Sequence, residues 1–146
     1  MNRKLMSSWI AVFFVLALCG CPSIAMFNQR GYEQATSLKV DALALMDKAT
    51  EPYQNHKAAV ERLKLDVEKA YEYAKGREKN EEATKQWEII KNPERNSLFG
   101  FLKRWEDKTT LSPKFVEEAK GLVAEGFDAV IGLESGKRKP SDMQKQ

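Results

Sequence analysis

Residues 112–136 read SPKFVEEAKGLVAEGFDAVIGLESG. Ser112 offers a side-chain oxygen to unpaired backbone N–H groups, and Pro113 fits the first helical position, where its missing N–H has no partner to lose. Glu117 and Glu118 lie near the positive end of the helix dipole. Ser135-Gly136 supplies the stop. Between these signals Phe115, Ala119, Leu122, Phe127, Val130 and Ile131 recur at helical spacing and define the expected core stripe. Gly121, Gly126 and Gly132 interrupt it. An interior glycine costs about 1 kcal/mol relative to alanine, so their presence predicts a close approach by another helix, the first one in the chain.

The same period continues outward. In SLFGFLKRW, residues 97–105, Leu98, Phe101, Leu102 and Trp105 fall at i, i+3, i+4 and i+7, a short helix with one apolar stripe. Ala83, Trp87 and Ile90 mark another, ending before Asn92-Pro93. Beyond the break at 76–80, Ala59, Leu63, Val67, Ala70 and Ala74 form a longer stripe. Ala35, Leu38, Ala42, Leu45 and Ala49 form a narrow seam with small residues at every other position. Thr50-Glu51-Pro52 interrupts: Thr50 suits an N-cap and Pro52 a first turn. The seam's spacing nevertheless runs on through Pro52 and His56, which leaves two helices or one kinked helix open. No period-2 strand pattern and no long internal repeat occurs. The expected fold is all-α, an antiparallel helical bundle or a long helical hairpin with shorter helices packed on it. It would span residues 32–136, followed by a disordered polar tail at 137–146.

The 146 residues suit one domain. Charged residues make up 31% and the net charge is only +3, with both signs interspersed. That balance gives no strong field for nucleic acid, and Lys137-Arg138-Lys139 reads as a solvated end. Catalytic constellations are hard to assemble. His56 is the one histidine, and its place on the seam suits a core or boundary residue. Gly132 to Lys137 echoes a phosphate loop, but too few residues separate the glycines, and Arg138 stands where Ser or Thr must hold magnesium. The paired acids Glu81/Glu82 and Glu117/Glu118 sit among mixed charges typical of solvated faces. The expectation is no enzyme, no metal and no cofactor.

The two cysteines both fall near the start, in VFFVLALCGCPSIAMF. Arg3 and Lys4 precede an apolar run from Trp9 to Leu18, and small residues follow, the layout of a secretory signal peptide. Leu18-Cys19-Gly20-Cys21 resembles the lipobox of bacterial lipoprotein precursors, a resemblance confined to about the first 21 residues. It implies signal peptide 1–20, cleavage before Cys21, lipidation of Cys21, and a linker at 21–31. A thiol is needed there because it is nucleophilic enough to be alkylated into a thioether. Cys19 would leave with the signal, so no free thiol remains, as suits an oxidising periplasm. The competing reading is an uncleaved anchor. Leu5 to Phe27 carries no charge, but its strongly apolar part is too short to span a bilayer, and Gly20 and Pro22 break it. With Pro22 rather than Asp after the cysteine, the resemblance favours the outer membrane, periplasmic face.

A tethered helical domain without catalytic groups suggests a binding or scaffolding module for another envelope protein. The alternative is an exclusion or immunity lipoprotein that blocks an incoming toxin or conjugation machine. The candidate partner-binding residues are Phe99, which points about 100° away from the Leu98 stripe, and its basic neighbours Lys103 and Arg104.

Overall fold

The computed structural model describes residues 27–139 and residue 142. The segment that resembles a signal peptide, Cys21 and the last residues lie outside that range. Among the described residues there are five α-helices and no strand: α1 Gln29–Met46, α2 Lys57–Lys75, α3 Glu81–Ile90, α4 Leu98–Lys108 and α5 Pro113–Glu134.

Helix α1 begins ahead of residue 32. Asn28 adopts an extended backbone, and its Oδ1 accepts from Gly31 N at 2.6 Å. Gly31, expected in a linker, is buried in the first turn. Between α1 and α2 the chain makes two 3₁₀ turns, Asp47–Thr50 and Tyr53–Asn55. The two long segments are therefore separate helices. Thr50 does not cap α2, which starts at Lys57 without a side-chain cap. At α5 the expected cap is present, with Ser112 Oγ accepting from Phe115 N at 3.3 Å.

Four helices form an antiparallel bundle, and paired contacts fix its directions. Asn28 N donates to Glu134 O, Lys39 pairs with Asp128, and Lys120 pairs with Asp47, so α1 and α5 run antiparallel. Tyr73 reaches back to Asn28, which makes α1 and α2 a hairpin. Lys91 pairs with Glu68 and Tyr71 with Glu88, which sets α3 antiparallel to α2. Trp87 meets Phe127 edge-on at 5.9 Å, joining α3 to α5.

Helix α4 closes one end of this bundle. Its whole stripe, Leu98, Phe101, Leu102 and Trp105, is buried as the spacing predicts. Trp105 lies edge-on to Tyr53 at 5.6 Å, and its Nε1 donates to Glu51 O at 3.0 Å. The loops around it are stitched together, with Tyr53 N donating to Thr109 O and Leu111 N to Ala49 O, both at 2.8 Å. A plug held at its indole and at two backbone hydrogen bonds stays in one register, because burial alone is non-directional.

Several expected core positions shift. Met46, not Leu45, completes the α1 seam, and Leu45 is only partly buried. Val60 replaces Ala59, which is exposed, because α2 starts late and enters the core on its β-branched residue. In α5 the buried face follows Val116, Val123, Phe127 and Val130. Phe115, Ala119 and Ile131 sit half-buried at its flank, and Leu122 is 52% exposed. Phe127 and Val130 are buried as the spacing indicates, whereas in the first half of the helix the buried face falls on Val116 and Val123, one residue beyond Phe115 and Leu122.

The glycine expectation also needs correcting. Helices α1 and α5 do pack together, but through the Ala35, Leu38 and Ala42 seam. A Cβ on Gly121 would meet nothing within 4 Å, one on Gly126 would make ordinary contact with Ile90 of α3, and Gly132 is covered by the Arg138 side chain. Close approach instead demands Gly31, where a Cβ would come within 2.6 Å of Glu134 Oε2. Arg138, placed in the polar tail by the sequence, donates its backbone N–H to Gly132 O at 2.9 Å.

Candidate functional site

A groove of ≈ 580 Å³ opens where the first half of α5 passes α4 and the 93–97 loop. Its apolar floor comes from Phe101, Phe115, Ala119, Leu122 and Val123. Phe101 and Phe115 stack with parallel rings at 6.1 Å, and the Arg104 guanidinium lies 4.5 Å from the Phe115 ring centre. This cation–π contact holds Arg104 along the groove while its charge stays solvated.

The loop wall is held by a glycine. A Cβ on Gly100 would fall on the Arg95 carbonyl oxygen, so only glycine lets the loop lie against α4 there. Ser97 Oγ donates to Asn92 O at 2.9 Å and closes the loop from within. Lys103 Nζ donates to Glu94 Oε1 at 2.6 Å across the same wall. That hydrogen bond, with the Glu94 charge, holds the Lys103 ammonium above its ordinary pKa.

Of the residues singled out in the sequence, Lys103 and Arg104 therefore share one wall. Phe99 does not line the groove and is partly buried against the core. The expected patch of three residues is a pair beside a groove, and Phe99 belongs to the packing. Cys21 lies outside the described residues. What the sequence reading missed is Leu122, the one large apolar residue of the groove that is more exposed than buried. The available signal was the valine pair Val116 and Val123, seven apart and in phase with Phe127 and Val130, which leaves Leu122 off the buried face.

The opposite end of the bundle holds a second constellation that the sequence did not announce. Glu134 is only 3% exposed. Its carboxylate accepts from the Arg77 guanidinium and from Asn80 Nδ2, the latter at 3.2 Å. Asn80 Nδ2 also reaches Ala74 O at 3.1 Å. A buried carboxylate must be paired and hydrogen-bonded to be tolerated. Both its oxygens are engaged here, and the arrangement locks the end of α5 to the α2–α3 loop beside Asn28.

His56 lies against Trp105 at 5.5 Å and bonds Glu51 at 2.8 Å through Nε2. The bond from His56 lowers the Glu51 carboxyl pKa from its ordinary value. The Tyr53 hydroxyl is buried without a partner, and burial raises its pKa. Among the described residues, no cluster of three or more His, Cys, Asp or Glu side chains is placed to hold a metal ion, and no helix is long and apolar enough to cross a membrane. Comparison with protein families, curated proteins and solved structures finds no match for this chain.

Proposed function

We propose that this protein is a lipid-anchored envelope lipoprotein whose helical bundle serves as a non-enzymatic binding or scaffolding module for another envelope protein. The observation that carries this reading is the position of the groove. The chain enters the fold at Asn28, beside Glu134 at the C-terminal end of α5. The groove's α5 residues, Phe115 to Val123, precede Glu134 by eleven to nineteen positions. At 1.5 Å per residue they lie roughly 17–28 Å along the helix from that end.

A lipid on Cys21 would sit within seven residues of Asn28, a reach of at most about 25 Å. The tether would keep the bundle within about 25 Å of the bilayer, attached at the end away from the groove, so the groove is free to face the periplasm. A tether confines the search for a partner to the membrane's neighbourhood and raises effective concentration, so a modest site is enough. In the lipobox resemblance, Pro22 rather than Asp after the cysteine favours the outer membrane over the inner.

The test is affinity capture from membranes with the lipidated full chain, comparing the natural protein with Leu122→Glu. One or a few envelope proteins retained by the natural chain and lost with Leu122→Glu is the expected result. Identical sets from the two would remove the groove from the function.

A further inference from the structure

The balance of charge around the groove identifies what it takes. Of its carboxylates, Glu94 is paired with Lys103 and Glu118 with Lys114, which leaves Asp107. Arg95, Arg104 and Lys108 have no carboxylate within ion-pair distance among the described residues. Three cations outside any ion pair, against Asp107 and a Glu118 held only by an exposed 3.9 Å contact with Lys114, thus surround an apolar floor with an exposed Leu122 at its edge.

We propose that the groove binds an acidic amphipathic segment of a partner protein, with one large apolar side chain set against Leu122 and Phe101 and flanking carboxylates meeting Arg104, Arg95 and Lys108. The proposal rests on the partner-binding reading above and adds the partner's chemistry. Arg104 is the specificity element, because its guanidinium is already oriented by Phe115 and offers a planar fork to a carboxylate. The volume suits a short stretch of chain rather than a whole helix.

Other occupants fit less well. An anionic bilayer surface would meet the cations but offers no single large side chain for Leu122 and Phe101, and the lipid on Cys21 would attach at the other end of the bundle. A sugar ring seeks an open aromatic face, and the Phe115 ring is engaged by Phe101 and Arg104. The chain's own residues 140–146, PSDMQKQ, carry one acid and one base, without the excess of carboxylates the cations call for.

The probe is a random peptide library displayed on phage, selected against the full chain in detergent. Enriched peptides should combine Leu, Phe or Trp with Asp or Glu, and should weaken as salt rises. Arg104→Glu should lower their affinity about tenfold or more. Lys108→Glu, an exposed position without an ion pair, repeats the charge reversal without touching Phe115. Thermal unfolding of both variants shows that the fold is intact. Failure to enrich any peptide, enrichment without acidic bias, or affinity unchanged in both variants would overturn the proposal. Capture that depends on Leu122, together with a library lacking acidic bias, would keep the partner and discard this chemistry.

Discussion

Replacing Gly31 by alanine should destabilise the protein although alanine is the better helix former. The added methyl would lie 2.6 Å from Glu134 Oε2 and 2.8 Å from its Cδ, where ordinary contact begins at 3.4 Å. Glu134 must therefore retreat by most of an ångström, and it is held by Arg77 and Asn80. Breaking a buried charge pair costs about 3–5 kcal/mol, and the helix-propensity gain returns up to about 1. The net loss is about 2–4 kcal/mol, a fall in melting temperature on the order of 10–20 °C for a domain of this size. The assay is thermal unfolding of the full chain followed by circular dichroism, run as a double-mutant cycle with Glu134→Ala. Removing the carboxylate removes the two closest contacts and leaves Asn28 Oδ1 at 3.1 Å, so in that background Gly31→Ala should cost far less than in the natural protein. A Gly31→Ala variant as stable as the natural protein, or an equal cost in both backgrounds, would refute the reasoning.

Trp105→Ser should cost about 3–5 kcal/mol, because it empties a fully buried site and strands the Glu51 carbonyl, as denaturant unfolding would register. Gly121→Ala, by contrast, should stabilise by roughly 0.5–1 kcal/mol, since the added methyl meets nothing; a loss would mean that this face is covered. The folded Glu51 pKa lies below its ordinary 4.5, so its contribution to stability is present above that pH and disappears as pH falls through the lower folded value. His56→Gln should blunt this acid-side loss in melts taken across that range. Cys21→Ser should abolish incorporation of a fatty-acid analogue and leave a precursor of higher mass, whereas equal labelling of both proteins would remove the lipobox reading.

Local periodicity carried most of the fold. The α4 stripe at 98, 101, 102 and 105 and the α3 residues Ala83, Trp87 and Ile90 are buried as their spacing indicates, because a short amphipathic helix has one face to hide. Periodicity said less about α5, which lies between two helices and beside a third. There Val116 and Val123 are in phase with Phe127 and Val130 and mark the buried face, but Phe115, Ala119 and Leu122 form a competing run of helical spacing, and which run is covered depends on neighbours distant in sequence. The paired carboxylate Glu134 was invisible for the same reason: its partners, Arg77 and Asn80, are more than fifty residues away. The groove's loop wall depends on Gly100 lying against the Arg95 and Pro93 carbonyls across a turn, and no spacing rule encodes that.

Site-specific photo-crosslinking in living cells bears most directly on the central claim. A photoreactive residue would be placed in turn at Leu122 and Arg104 in the groove, and at Val40 and Leu65, exposed positions outside its lining. The expected result is a discrete adduct with one envelope protein from positions 122 and 104 and none from 40 or 65. Adducts from positions 40 and 65 alone, or from none of the four, would contradict it.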